Sequence, residues 1–260
     1  MFQWIRKRRS SSRRRGEAPT AQELDRLVTN LLFELRATRL VDSIAVLDLL
    51  EAADRFCEML GAQERVPREV TGKLWFAFTA MLKEADHART PEAVLDAAWE
   101  YHDRLEDIFG PTSNEPRLDI PGVPQPSAIT GPEKGGPRVP EEPAPGDHRE
   151  GVVTELRMLE EELDRLTIPL LVELRMTKLV DATAMHDLLG VADRLRDILG
   201  AQELVPRVLV GKLWFVFTAM LSEAEHTRTP DAILDAAWEY AERLRAIFGP
   251  HFDMPRDNPV

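Results

Sequence analysis

A chain of 260 residues is long enough for one or two domains, and its 43% hydrophobic content is enough to build real cores. The single cysteine, Cys57, rules out a disulfide framework, and no apolar run is long enough to span a bilayer as a helix. The formal charge of −12 is segregated, with a basic block near the start and a body more acidic than the total, so the body is a poor match for nucleic acid.

The first 20 residues read as a basic tail without a core. Phe2 and Trp4 precede the block Arg6, Lys7, Arg8, Arg9, Arg13, Arg14 and Arg15. Aromatic groups beside arginines suit an anionic membrane surface, where the rings enter the interface and the guanidinium groups meet headgroups. A disordered arm touching nucleic acid, or a solvated tail with no fixed partner, are the alternatives. Nucleic-acid contact is not expected anywhere outside this tail. Ser10, Ser11 and Ser12 interrupt the block, so phosphorylation there would reduce its charge.

Residues 21–111 read as a module of four helices. The first spans about Gln22 to Thr38, with Leu24, Leu27, Val28, Leu31, Leu32 and Leu35 on one face. The second runs from about Asp42, a plausible N-cap, to Leu60, with Gly61 where a positive-φ residue is wanted. The third starts near Pro67 and ends near His87, and its centre from Leu74 to Leu82 is apolar almost all round, which predicts a buried helix. Thr90, Pro91 and Glu92 announce the fourth, and Gly110-Pro111 closes it after Phe109.

From Thr112 to about Gly151 the chain is rich in proline and glycine and lacks a periodic apolar face, so residues 112–151 read as a tether. Residues 152–250 then repeat the module, and residues 251–260 form a short C-terminal tail. Leu24-Asp25-Arg26-Leu27 returns as Leu163-Asp164-Arg165-Leu166, and the same offset holds without a gap to Phe248-Gly249-Pro250. Roughly two-thirds of the aligned positions are identical. Pro169 falls inside the first helix of this copy, where it is expected to kink or shorten it. Differences between the copies are few from Gly72 to Tyr101 and frequent from Thr38 to Met59, which makes the third and fourth helices the hub of each module.

The sharpest chemical hint is Glu84-x-x-His87, repeated as Glu223-x-x-His226. Residues three apart share a helix face, and such pairs form half of the di-iron carboxylate pattern, with Glu34 and Glu173 as the further carboxylates. The pairs lie at helix ends, where a histidine also complements the helix dipole, so no metal or other cofactor is expected from them. Asp48, Asp187, Glu100 and Glu239 read as solvated carboxylates, because no nucleophile accompanies them. The aromatics Trp75, Phe76, Phe78, Trp99, Trp214, Phe215, Phe217 and Trp238 read as core or as an interface between helices. The apolar content around Trp75, Phe76 and Phe78 exceeds what one small bundle needs, so the surplus face is expected to meet the same face of the other copy.

The expectation is therefore an all-α chain: a tandem duplication of a four-helix module, packed as a pseudo-two-fold pair. The function that fits is a non-enzymatic interaction or scaffold protein with two similar surfaces for a protein partner or for self-association, brought to an anionic surface by its tail. The rival is a helical-bundle metal or small-molecule binder using the Glu-x-x-His pairs or the Trp/Phe interface. One unpaired thiol, a charged N-terminus and arginine- and alanine-rich usage point to the cytoplasm of a bacterium, with peripheral membrane attachment through the tail. Deleting residues 1–15 is expected to weaken binding to anionic vesicles in a flotation assay while leaving the unfolding midpoint unchanged, because the segment supplies charge and no core.

Overall fold

In a computed structural model, residues 19–109, 147–200 and 202–249 are described, with backbone alone for 147–150. The basic tail with Phe2, Trp4, Arg6, Lys7, Arg8, Arg9, Arg13, Arg14 and Arg15, most of the tether and the C-terminal tail lie outside them. The fold is all-α. Its helices are α1 (Ala21–Thr38), α2 (Ser43–Leu60), α3 (Arg68–Ala85), α4 (Pro91–Phe109), α5 (Asp147–Thr177), α6 (Ala182–Leu199), α7 (Arg207–Glu225) and α8 (Asp231–Phe248). Two short strands, β1 (Arg65–Pro67) and β2 (Leu204–Pro206), precede α3 and α7.

The caps follow from local chemistry. Thr20 Oγ1 accepts the Glu23 N–H, Asp42 accepts from Ile44, and Asp181 accepts from Thr183 and Ala184, each satisfying a donor that the helix itself leaves free. α1 and α5 close on left-handed residues, Arg39 and Lys178, both at φ 58°, whose N–H groups return to Leu35 and Leu174. Gly61 takes a positive φ of 48° after α2, but Gly200 after α6 sits at −57°, so glycine's freedom is used in one copy only.

Two expectations need correction. The second half begins its first helix at Asp147, not at 152, because a helix already nucleated by the apolar face beyond Val152 extends at one hydrogen bond per residue. Pro169 does not shorten α5, which at 31 residues exceeds the 18 of α1. A proline costs a helix one donor and some strain, and the buried Leu163, Leu170 and Leu174 hold the segment on both sides of it. The strands, too, are absent from the sequence reading. A residue before proline is pushed to extended backbone, which places Val66 and Val205 in β geometry.

Those strands join the two halves. β1 and β2 pair antiparallel with Val66 opposite Val205, both wholly buried. The Arg68 N–H donates to Glu203 O and the Arg207 N–H to Glu64 O, each at 2.8 Å. These backbone contacts mirror one another: positions 64, 66 and 68 meet 203, 205 and 207. α3 also packs on α8 and α4 on α7, and Trp75 meets its counterpart Trp214 edge to face at 4.5 Å between ring centroids. The surplus apolar face of α3 is thus covered by the other half, and Trp75, read from the sequence as core or interface, belongs to the joint between the two.

Gly72 shows how close that joint is. A Cβ added there would lie 2.8 Å from Phe248 O on α8, a contact that only backbone movement could relieve. Gly190, inside α6, would present its Cβ to open space. In urea denaturation, Gly72→Ala is expected to cost about 1–3 kcal/mol through overpacking. Gly190→Ala is expected to gain about 0.5–1 kcal/mol through helix propensity and a less flexible unfolded chain.

Candidate functional site

The Glu-x-x-His pairs do not converge into a ligand set among the described residues. Glu84 on α3 is engaged by Arg36 of α1, and Glu223 on α7 by Arg175 (2.7 Å) and Lys178 (2.7 Å). These are ties between the first and third helices of each half. Burial alone would raise the Glu223 carboxyl, but the hydrogen bonds from Lys178 and Arg175 outweigh it and hold the group below the usual carboxylate range. His87 lies beyond the end of α3, and His226 caps α7 with Nδ1 2.7 Å from Ser222 O, so both histidines are exposed and turned away from a shared centre. Glu34, Glu173, Asp48 and Asp187 are exposed on the outer surface, as is Glu239.

Two further ion pairs recur at equivalent places. Lys73, only 2% exposed, reaches Asp25 at 2.5 Å, and Lys212 reaches Asp164 at 2.6 Å and Glu160 at 2.8 Å. Burial opposes the Lys212 charge, yet these carboxylates raise its pKa overall. Arg55 with Glu23 and Arg194 with Glu162 form the next matched pair. These charges position helices and leave no reactive group poised.

The aromatic residues divide by position. Trp75, Phe78, Trp214 and Phe217 are buried and mutually in contact across the joint, with Trp75–Phe217 at 4.9 Å and Phe78–Trp214 at 5.0 Å. Trp99 and Trp238 flank them, half-buried, against Phe78 and Phe217 respectively. Phe76 is half-buried, and Phe215 is 37% exposed on the outward side of α7, so of the two readings given to it, core or interface, core does not apply.

The sequence reading passed over His102. This residue of α4 is 8% exposed and lies among Trp99 (5.2 Å), Phe78 (5.6 Å) and Trp214 (5.6 Å, stacked at 26°). Its Nε2 is buried without a hydrogen-bond partner and points towards Glu106 Oε1 at 3.8 Å. Burial among rings pushes the imidazole down to about 4, against the pull of the neighbouring Asp103 charge. The signal was available in the sequence, since Ala241 stands at the equivalent position of an otherwise well-matched helix.

The sequence reading also missed an outer apolar face. On α1, Phe33 is 67% exposed, and Leu40 and Ile44 continue the patch across the turn into α2. On α5, Ile168, Val172 and Met176 are exposed at intervals of four residues, which puts them on one stripe, and the exposed Leu179 follows after the helix has ended. Phe33 and Val172, and Leu40 and Leu179, are equivalent positions. Arg26 and Arg165, also equivalent and exposed, stand two turns before them on the same face. An open groove of about 600 Å³ lies along the first turns of α1, lined by Gln22, Arg26, Thr29 and Asn30 among others.

Comparison with protein-family models, with curated proteins and with solved structures returns no match. The site must therefore be read from its own chemistry.

His102 makes a prediction by linkage. Its folded-state pKa lies below the ordinary 6.5. As pH falls from 6.5 to about 4 the unfolded chain takes up a proton that the folded chain refuses, so stability is lost through that window. Denaturation at about pH 7 and about pH 5 is expected to show a smaller pH-dependent loss for His102→Ala than for the natural chain. Equal losses would show that the imidazole titrates normally.

Proposed function

We propose that this chain is a non-enzymatic interaction protein, a tandem duplication of one helical module, that presents two equivalent apolar helix faces to a protein partner. The observation that carries this reading is exposed apolar surface that recurs at two equivalent places, Phe33 with Val172 and Leu40 with Leu179, extended by Ile44 on one half and by Ile168 and Met176 on the other. Residue identity changes between the copies, as from Phe33 to Val172, while apolar character at an exposed position stays. Exposed side chains that serve only solubility have no reason to stay apolar, and contiguous apolar surface marks docking sites.

The face has the form of a helix-binding surface: apolar anchors at helical spacing, with an arginine two turns away. It suits an amphipathic helix whose apolar side is bordered by carboxylates. Two such faces on one rigid body raise the effective concentration of the second binding event when the partner is repeated or dimeric. The arginine-rich first residues would bring this scaffold to an anionic surface on the cytoplasmic side of a membrane, with the source bacterial. The rival reading, a metal or small-molecule carrier built on the Glu-x-x-His pairs, has less to stand on, because Glu84 and Glu223 are already engaged by Arg36, Arg175 and Lys178.

The test uses the full chain as bait, with Phe33→Asp, Val172→Asp and the double substitution. Each site is exposed, so stability should change by less than about 0.5 kcal/mol. The expected outcome is a partner captured by the natural chain, reduced occupancy with either single substitution and loss with both, followed by mass determination of the complex in solution. A partner retained equally by the double variant would remove the outer faces from the interaction.

A further inference from the structure

Three threonines are buried among the described residues: Thr71, Thr167 and Thr218. A helical threonine ordinarily turns its hydroxyl back onto the carbonyl four residues earlier. Thr71 does so to Pro67 O at 3.0 Å, and Thr218 to Trp214 O at 3.3 Å. Thr167 of α5 does not, and its buried Oγ1 is bonded to no protein group. Tyr240 of α8 is wholly buried, and its hydroxyl also lacks a protein partner. Burial alone holds that phenol protonated far above neutral pH, so it keeps a proton to donate. Two such oxygens in an apolar core are costly unless something completes them.

The register of the helices brings the two oxygens to one level. α5 and α8 each pack on both α6 and α7, so they stand diagonally across the core of the second half. The pairs Lys212–Asp164 and Glu223–Arg175 fix α5 against α7 at a constant separation of 48 residues, which sets Thr167 level with Phe215. The ring contact of Phe217 with Trp238, on the returning helix α8, sets Tyr240 level with Phe215 too. On the opposite wall, Arg194–Glu162 sets Thr167 beside Leu189 of α6, and Arg243–Asp193 sets Tyr240 beside the adjacent Gly190. Both walls therefore give the same height.

We propose that Thr167 Oγ1 and Tyr240 OH hold one water molecule between them in the core of the second half. A buried water needs at least two polar partners, and each of these hydroxyls can both donate and accept. Neither group carries charge, and the residues packed around them are apolar, so the site suits water and gives no purchase to an ion. In the first half Val28 and Tyr101 occupy the equivalent positions, which leaves one hydroxyl where the second half has two, so the bridge belongs to the second half alone. Pro169, two residues after Thr167, withholds a backbone donor from α5. The bridge ties the inward side of that same turn to α8, beneath the exposed Ile168 and Val172. It is independent of the outer faces as a docking surface, so either reading stands if the other fails.

A crystal structure of the full chain, at a resolution that shows ordered solvent, is expected to hold one water at about 2.7–3.0 Å from both oxygens. A double-mutant cycle then reads the coupling. Thr167→Val copies Val28 and Tyr240→Phe keeps the ring, so both variants should fold. Each is expected to lower the thermal midpoint by about 2–4 °C, because the remaining partner is left half-satisfied. The double variant should lose no more than the larger single loss, since it strands nothing. Thr167→Val combined with Tyr101→Phe should instead be additive, because those positions lie in different halves. Additive losses for Thr167→Val with Tyr240→Phe, or a crystal structure with the two oxygens bonded directly or with no water between them, would overturn the proposal.

Discussion

The edge-to-face contact of Trp75 with Trp214, held in register by the antiparallel pairing of Val66 with Val205, is the constraint on which the rest of the molecule depends. Each half alone would leave Trp75, Phe78 or their counterparts facing water, and contiguous apolar area of that size is not left exposed on a soluble surface. Bringing equivalent positions together buries both copies at once, as an isologous dimer interface does. Because the copies lie on one chain, the joint forms at the effective concentration set by the tether and not by the protein concentration.

Everything distinctive about the surface follows from that choice of face. With α3, α4, α7 and α8 committed inward, α1 and α5 become outer helices whose one buried face rests on the core and whose other face is free to specialise. The matched ion pairs from α1 to α3 and from α5 to α7 then keep the outer helices at a fixed angle. Buried lysines satisfied by carboxylates contribute less to net stability than to specifying one arrangement, since any slip of a helix along its neighbour strands a charge. The apolar outer stripes therefore sit on rigid supports, a condition for a surface that recognises a partner.

The departures from symmetry carry as much information as the symmetry. Where the two halves differ within a well-matched helix, the helices keep the same neighbours while the side-chain chemistry changes. His102 against Ala241 and Glu106 against Arg245 are differences of this kind, set at the boundary where each half sees the other. Two similar halves on one chain can differ on one side while the other preserves the joint, a freedom that the identical chains of a homodimer lack.

Much of this architecture was legible in the sequence. Helix spans, the cap at Asp42, the apolar face of α1 and the excess apolar content of α3 are local or periodic properties, and they survive into the structure nearly residue for residue, since capping and amphipathicity act over one or two turns. What tertiary structure alone decided were relations between positions far apart in the chain. The pairing of Val66 with Val205 involves strands too short to show a period. The diversion of Glu84 and Glu223 into ion pairs depends on which helix lies beside α3 and α7. The burial of His102 depends on Trp214, which belongs to the other half. A sequence reports what a residue is and what its near neighbours are. Its solvent exposure and the charge opposite it are set by the packing of distant segments, and these two quantities decide whether a histidine is a surface cap like His226 or a buried ring like His102.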